Sequence, residues 1–174
     1  MKKLNIVISL ITASAITTFS AFSDDGKINF IGSITDSACT VVNNVSNPLN
    51  VTLGSVSSTA FSGAGSTAAP TKFTISLTDC PINATTASVK FDGTADSNVS
   101  SILALTNEAG VAQGVGIQLV DNQNVVVPLH TASSDYPLVE GDNSLDFVAR
   151  YYATAATVSA GPANATSNFT IIYN

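Results

Sequence analysis

The segment Asp24-Asp25-Gly26-Lys27-Ile28-Asn29-Phe30-Ile31-Gly32-Ser33-Ile34-Thr35-Asp36-Ser37-Ala38-Cys39 alternates with a period of two. Strand geometry sends successive side chains to opposite faces, so Ile28, Phe30, Gly32 and Ile34 share one face. A half-buried strand at the edge of its own sheet explains that pattern. The run lies wholly upstream of Cys39, however, so a bridge made by Cys39 does not hold it to the rest of the chain, and it is able to leave.

Upstream of this run, Lys2 and Lys3 precede an apolar, small-residue stretch over residues 4–16, and Ala21-Phe22-Ser23 follows. A basic start, a short apolar region and a small-x-small site are the marks of an export signal. Cleavage is expected after Ser23. The rival reading is a membrane anchor, because residues 4–22 are nearly long enough to span a bilayer. Ser9, Thr12, Ser14, Thr17, Thr18 and Ser20 interrupt that span, and no basic stop follows. Export places Cys39 and Cys80, the only cysteines, in an oxidising compartment that lets them join. Closing a loop of that length stabilises a fold by about 4 kcal/mol in the chain-entropy account. A single histidine leaves no Cys and His set for zinc, and no metal is expected.

The 174 residues are 45% hydrophobic and only 10% charged, against roughly 25% charged in ordinary soluble proteins. The surface must therefore be covered mainly by Ser, Thr, Asn and Gly, and the hydrophobicity excludes disorder. The formal net charge is −6, and losing Lys2 and Lys3 leaves Lys27, Lys72, Lys90 and Arg150 against twelve acids, near −8. Such a surface has nothing with which to neutralise phosphates, which excludes nucleic acid and anionic membranes as partners. The length suits one domain.

Along the mature chain, short alternating runs are separated by Gly, Asn, Asp, Ser and Pro clusters. Strands are expected over residues 27–35, 38–42, 50–54, 71–77, 87–92, 103–106, 116–120, 145–152 and 167–173. Residues 57–69, rich in Ser, Gly and Ala, read as a loop or a weak helical turn. Many short strands with such breakers mean an all-β sandwich.

No pattern carries enzyme chemistry. His130 has many Ser and Asp residues to complete a triad with, but that abundance makes the coincidence worthless, and no G-x-S-x-G elbow is present. Gly63-Ala64-Gly65 and Gly114-Val115-Gly116 lack the third glycine and the βαβ context of a dinucleotide site. Asp142 and Asp146 look like solvated strand-end residues rather than an acid and base pair. The six N-x-S/T matches, at Asn44, Asn50, Asn83, Asn98, Asn164 and Asn168, follow from a composition rich in those residues. Neither catalysis nor a cofactor is expected.

The pattern G-x-I-x-F-x-G-x-I-x-x-x-A-C from Gly26 to Cys39 resembles the type 1 fimbrial pilins of chaperone–usher pili. So do Phe73-Thr74-Ile75-Ser76-Leu77-Thr78-Asp79-Cys80 and Phe147-Val148-Ala149-Arg150-Tyr151-Tyr152-Ala153-Thr154. The end of the chain agrees, with Phe169, Ile171 and penultimate Tyr173 alternating and Gly161 fourteenth counting back from Asn174.

That resemblance implies an incomplete immunoglobulin-like β-sandwich lacking its last strand. Donor-strand exchange would complete it, a form of strand addition. Residues 1–23 would be the signal, 24–36 the donor-strand extension and 37–174 the pilin domain. Ile28, Phe30, Gly32 and Ile34 would be the donor strand, while Gly161, Phe169, Ile171 and Tyr173 would mark the acceptor groove and the C-terminal motif. Arg150 would pair with a carboxylate, brace the sheet or stand as a solvated strand residue. The implied partners are neighbouring copies in a filament, a periplasmic pilus chaperone, an outer-membrane usher and tip or adaptor subunits. The implied location is a fimbrium on the cell surface, reached through the periplasm. A tip adhesin needs an extra lectin domain, for which about 151 mature residues leave no room. A minor adaptor subunit and a self-contained exported immunoglobulin-like binding module are the alternatives to a shaft subunit.

Overall fold

A computed structural model describes residues 26–32 and 38–174. The export signal expected over residues 1–23 lies outside the described residues. So do Asp24, Asp25 and residues 33–37, including Ile34 of the expected donor strand. Residues 38–174 belong to one compact unit, and residues 26–32 are described by themselves.

The compact unit is built from eight strands among the described residues: β1 Thr40–Val41, β2 Thr67–Cys80, β3 Thr86–Asp92, β4 Val115–Asp121, β5 Val126–Val127, β6 Tyr136–Pro137, β7 Gly141–Ala153 and β8 Asn168–Tyr173. They form a five-stranded sheet in the order β1-β2-β7-β4-β5 and a three-stranded sheet in the order β6-β3-β8. Every strand pair is antiparallel. The expected all-β sandwich is therefore present. A single 3-10 turn at Ser58–Ala60, capped by the Ser57 side chain, is the helical turn anticipated after residue 57.

Alternation accounts for the long strands. In β7, Leu145, Phe147, Ala149, Tyr151 and Ala153 are buried, whereas Asp146, Val148, Arg150 and Tyr152 between them are only part-buried. Phe147 sits at the centre, stacked on Phe73 at 5.7 Å and meeting Phe91 edge-on at 5.1 Å and Tyr136 at 5.3 Å. The Tyr136 hydroxyl donates to the Asp146 carbonyl at 2.6 Å and accepts from the Asn122 amide at 3.3 Å. Burial pushes its pKa up to about 12.

Several expected strands differ from those observed. β2 begins at Thr67, not at residue 71, because the ladder with β7 continues across a register shift between Ala68 and Thr71. Pro70 lies in that shift, where a missing N–H removes no ladder bond. Residues 50–54 form no strand, yet Val51 and Leu53 pack on the core, so their alternation reports burial without a ladder partner. In the run 103–106 only Leu103 bridges, to Ala95 and Ile117. Residues 26–32 carry no strand, and Ile28 and Phe30 are 79% and 92% exposed.

Candidate functional site

β8 is the end strand of its sheet, pairing with β3 from Ala87 opposite Tyr173 to Asp92 opposite Asn168. Its other edge has no strand partner among the described residues, which leaves a row of amide and carbonyl groups unpaired. Beside that edge runs an open groove of about 1090 Å³. The groove lies between β8 and the stretch from Ala38 to Gly54 that carries Val41, Val51 and Leu53. Its floor is the inner face of the larger sheet, with Phe73, Ile75, Ile117, Leu119, Ala149 and Tyr151.

Each wall has a local cause. On β8, Phe169, Ile171 and Tyr173 are half-buried while Asn168, Thr170, Ile172 and Asn174 are exposed, so the apolar face points inward. The chain end is pinned because the Asn174 amide donates to the Thr86 carbonyl at 3.0 Å and the Thr86 amide to the Asn174 carbonyl at 3.3 Å. The opposite wall is anchored by the Cys39–Cys80 disulfide and by the Val42 amide, which donates to the Ser76 carbonyl at 3.0 Å. A second hollow of about 380 Å³ shares Gly54, Tyr151, Ala163 and Asn164 with the groove and reaches Val158 and Gly161. A Cβ on Gly161 would fall 2.6 Å from the Ala112 nitrogen and 2.8 Å from the Val111 carbonyl carbon. Gly161 therefore lets two loops touch at the second hollow, outside the lining of the groove itself.

No Asp, Glu, Lys, Arg or His lines the groove among the described residues, so it offers no charge to an ionic ligand. Burial pushes the phenols of Tyr151 and Tyr173 upward, opposed at Tyr173 by the nearby Cys39 amide. No hydrogen bond of ordinary geometry reaches the buried Tyr173 hydroxyl among the described residues. The chemistry of such a site is apolar burial with main-chain pairing, the requirements of an extended peptide strand.

The remaining candidates are brought together elsewhere or serve the scaffold. The His130 ring faces Asp92 at 2.9 Å and Lys90 lies 3.3 Å from the same carboxylate. The His130 hydrogen bond is the main cause holding Asp92 below its ordinary range. Asp146 is held down first by Lys72 at 2.8 Å and then by Thr74 at 2.6 Å, which makes it a sheet brace. The Arg150 Nε donates to Gln118 Oε1 at 2.8 Å, tying β7 to β4. No cluster of metal-ligating residues occurs among the described residues. Sequence reasoning missed the groove floor and the Val51 and Leu53 wall. Their apolar alternation is that of any core, and only the free edge of β8 turns them into a surface.

The fimbrial protein family model matches residues 28–174. Long polar fimbria protein A of Salmonella typhimurium is 36% identical over 174 residues, covering 99% of this chain and 97% of that protein. The type I fimbria protein and antigen of Burkholderia pseudomallei has a solved structure with TM-score 0.62 and 41% identity, covering 80% of this chain and 91% of that one. A subunit of a chaperone–usher pilus aligns with TM-score 0.64 at 24% identity, over 90% of this chain and 100% of its own. The chain belongs to the fimbrial protein family. It is a fimbrial subunit with the incomplete immunoglobulin-like sandwich of chaperone–usher pilus subunits.

Proposed function

We propose that this protein is a structural subunit of a fimbrial shaft, polymerising by donor-strand exchange and so supporting cell adhesion. The observation that carries the reading is the apolar groove beside the unpaired edge of β8, in a chain whose exposed Ile28 and Phe30 precede the disulfide. Residues 24–36 of one copy would lie in the groove of the next, with Ile28, Phe30 and Ile34 filling it and Gly32 allowing close approach between them. The lengths agree: residues 28–34 extended and the six residues of β8 each span about 20 Å. Burying three large apolar side chains at roughly 1.5–3 kcal/mol each contributes about 5–9 kcal/mol before ordering costs.

An open groove of this kind is an aggregation hazard in a free subunit. A periplasmic chaperone would cover it with a lent strand until exchange at an outer-membrane usher, after export directed by residues 1–23. Tip or adaptor subunits would join through the same strand and groove, and no step needs a catalytic group.

The test is a thermal melt of residues 37–174, refolded with the disulfide intact, with and without a peptide covering residues 24–36. A large rise in Tm, abolished by Phe30→Asp in the peptide, is expected. A domain already stable alone and indifferent to the peptide would instead be a self-contained exported binding module.

A further inference from the structure

Ile82 and Val139 are large apolar side chains left 79% and 65% exposed. Ile82 lies in the β2–β3 turn, two residues past Cys80, and Val139 lies in the β6–β7 connection, two residues before Gly141. Gly141 pairs with Cys80, and Cys80 is bridged to Cys39, so both side chains belong to the end of the sandwich at which the extension joins the domain. Neither sits on a loose tip. The Ala84 amide closes the first turn on the Pro81 carbonyl at 3.0 Å, and the Leu138 amide ties the second to the Thr85 carbonyl at 2.9 Å. Asn143 grips the Val139 backbone at both its amide, 2.9 Å, and its carbonyl, 2.7 Å. Two exposed apolar side chains are thus tied down by backbone hydrogen bonds at one end of the sandwich.

We infer that Ile82 and Val139 form a second contact with the neighbouring copy, one that stiffens the joint between successive subunits. The inference rests on the donor-strand reading above, and chain length carries it from there. Cys39 follows Ile34 by five residues, which span at most about 17 Å when extended. A copy holding Ile34 in its groove is therefore within that distance of Cys39, and the end bearing Ile82 and Val139 faces it. Charge does not hold this joint, because the mature copies are each near −8 and Glu140 and Asp142 flank Val139 with the same sign. Apolar contact does, and screening by salt stiffens it further.

The experiment compares filaments of the full chain with filaments of the Ile82→Asp/Val139→Asp variant, measuring bending persistence length in electron micrographs. Residues 37–174 of each protein, whose grooves carry no neighbour's strand, are first tested for the Tm rise given by the peptide of residues 24–36. The expected result is an unchanged peptide response with a persistence length at least twofold shorter in the variant. An unchanged response with unchanged stiffness overturns the contact while leaving the donor strand standing. Absence of the response in the unsubstituted protein overturns the donor strand itself. A variant that loses its own response is replaced by Ile82→Ser/Val139→Ser, read by the same two outcomes.

Discussion

Phe30 is 92% exposed, although its hydrophobicity would suit a buried site. On the proposed donor-strand reading, replacing it by Asp alters what the chain would donate and leaves what it would accept untouched. Phe30→Asp and Gly32→Asp are thus expected to abolish filaments while the chaperone complex still forms; normal-length pili from either variant would refute the role of those residues. Gly161 tests the other partner of the exchange. Its missing side chain is demanded by backbone atoms of Val111 and Ala112, which cannot swing aside as a side-chain tip can. Gly161→Ala is expected to cost about 1–3 kcal/mol in urea unfolding and to weaken binding of the donor peptide, because Ala163 and Asn164, just beyond it, line the groove. The apolar alternation of Phe169, Ile171 and Tyr173 was readable in the sequence, since a period of two needs only neighbours. The reason for Gly161 was not, because it lies in a loop some fifty residues distant along the chain.

At the scale of the element, the β2–β7 pair is the axis of the sandwich, with a ladder running from Thr67 opposite Tyr152 to Cys80 opposite Gly141. The sequence showed the middles of both strands and stopped short at their ends. Pro70 and the positive φ of Ala69 and Asp79 mark bulges that the ladder passes through rather than breaks that end it. Residues 50–54 were misread in the opposite sense, because burial against one sheet gives strand-like alternation whether or not a neighbour supplies hydrogen bonds. Asp146 on β7 and Tyr136 on β6, whose hydroxyl donates to the Asp146 carbonyl, give stability its pH limits. Lys72 and Thr74 hold Asp146 below its ordinary value of 3.8, so its contribution is present above that value and lost as pH falls through the lowered one. Tyr136 is raised to about 12, so its contribution is present below pH 10 and lost as pH rises towards 12. Urea midpoints are expected to hold level between these limits and fall on both sides. Lys72→Met should flatten the acid limb only slightly, by less than about 1 kcal/mol, since the Lys72 side chain is 67% exposed. Tyr136→Phe should reduce the alkaline limb, and an alkaline fall identical in that variant would assign it to other phenols.

At the scale of the whole molecule, the proposed donor and acceptor occupy different places on one chain, so on that proposal the contact between copies is heterologous and does not close on itself. Open propagation follows, and it has a direction. A copy lacking residues 24–36 keeps its groove and receives a strand, but has none to give, so it can stand only at the one end of a filament where no gift is required. Each filament then holds at most one such copy. Mixing it with full-length protein at one part in ten, in complete assembly, is expected to shorten filaments to about ten subunits, with mean length falling in inverse proportion as its share rises. Gold-labelled truncated copies should appear at a single end in electron micrographs. Labels along the shaft would mean that copies join without the extension, and the groove beside β8 would then have to be filled by something other than a neighbour's strand.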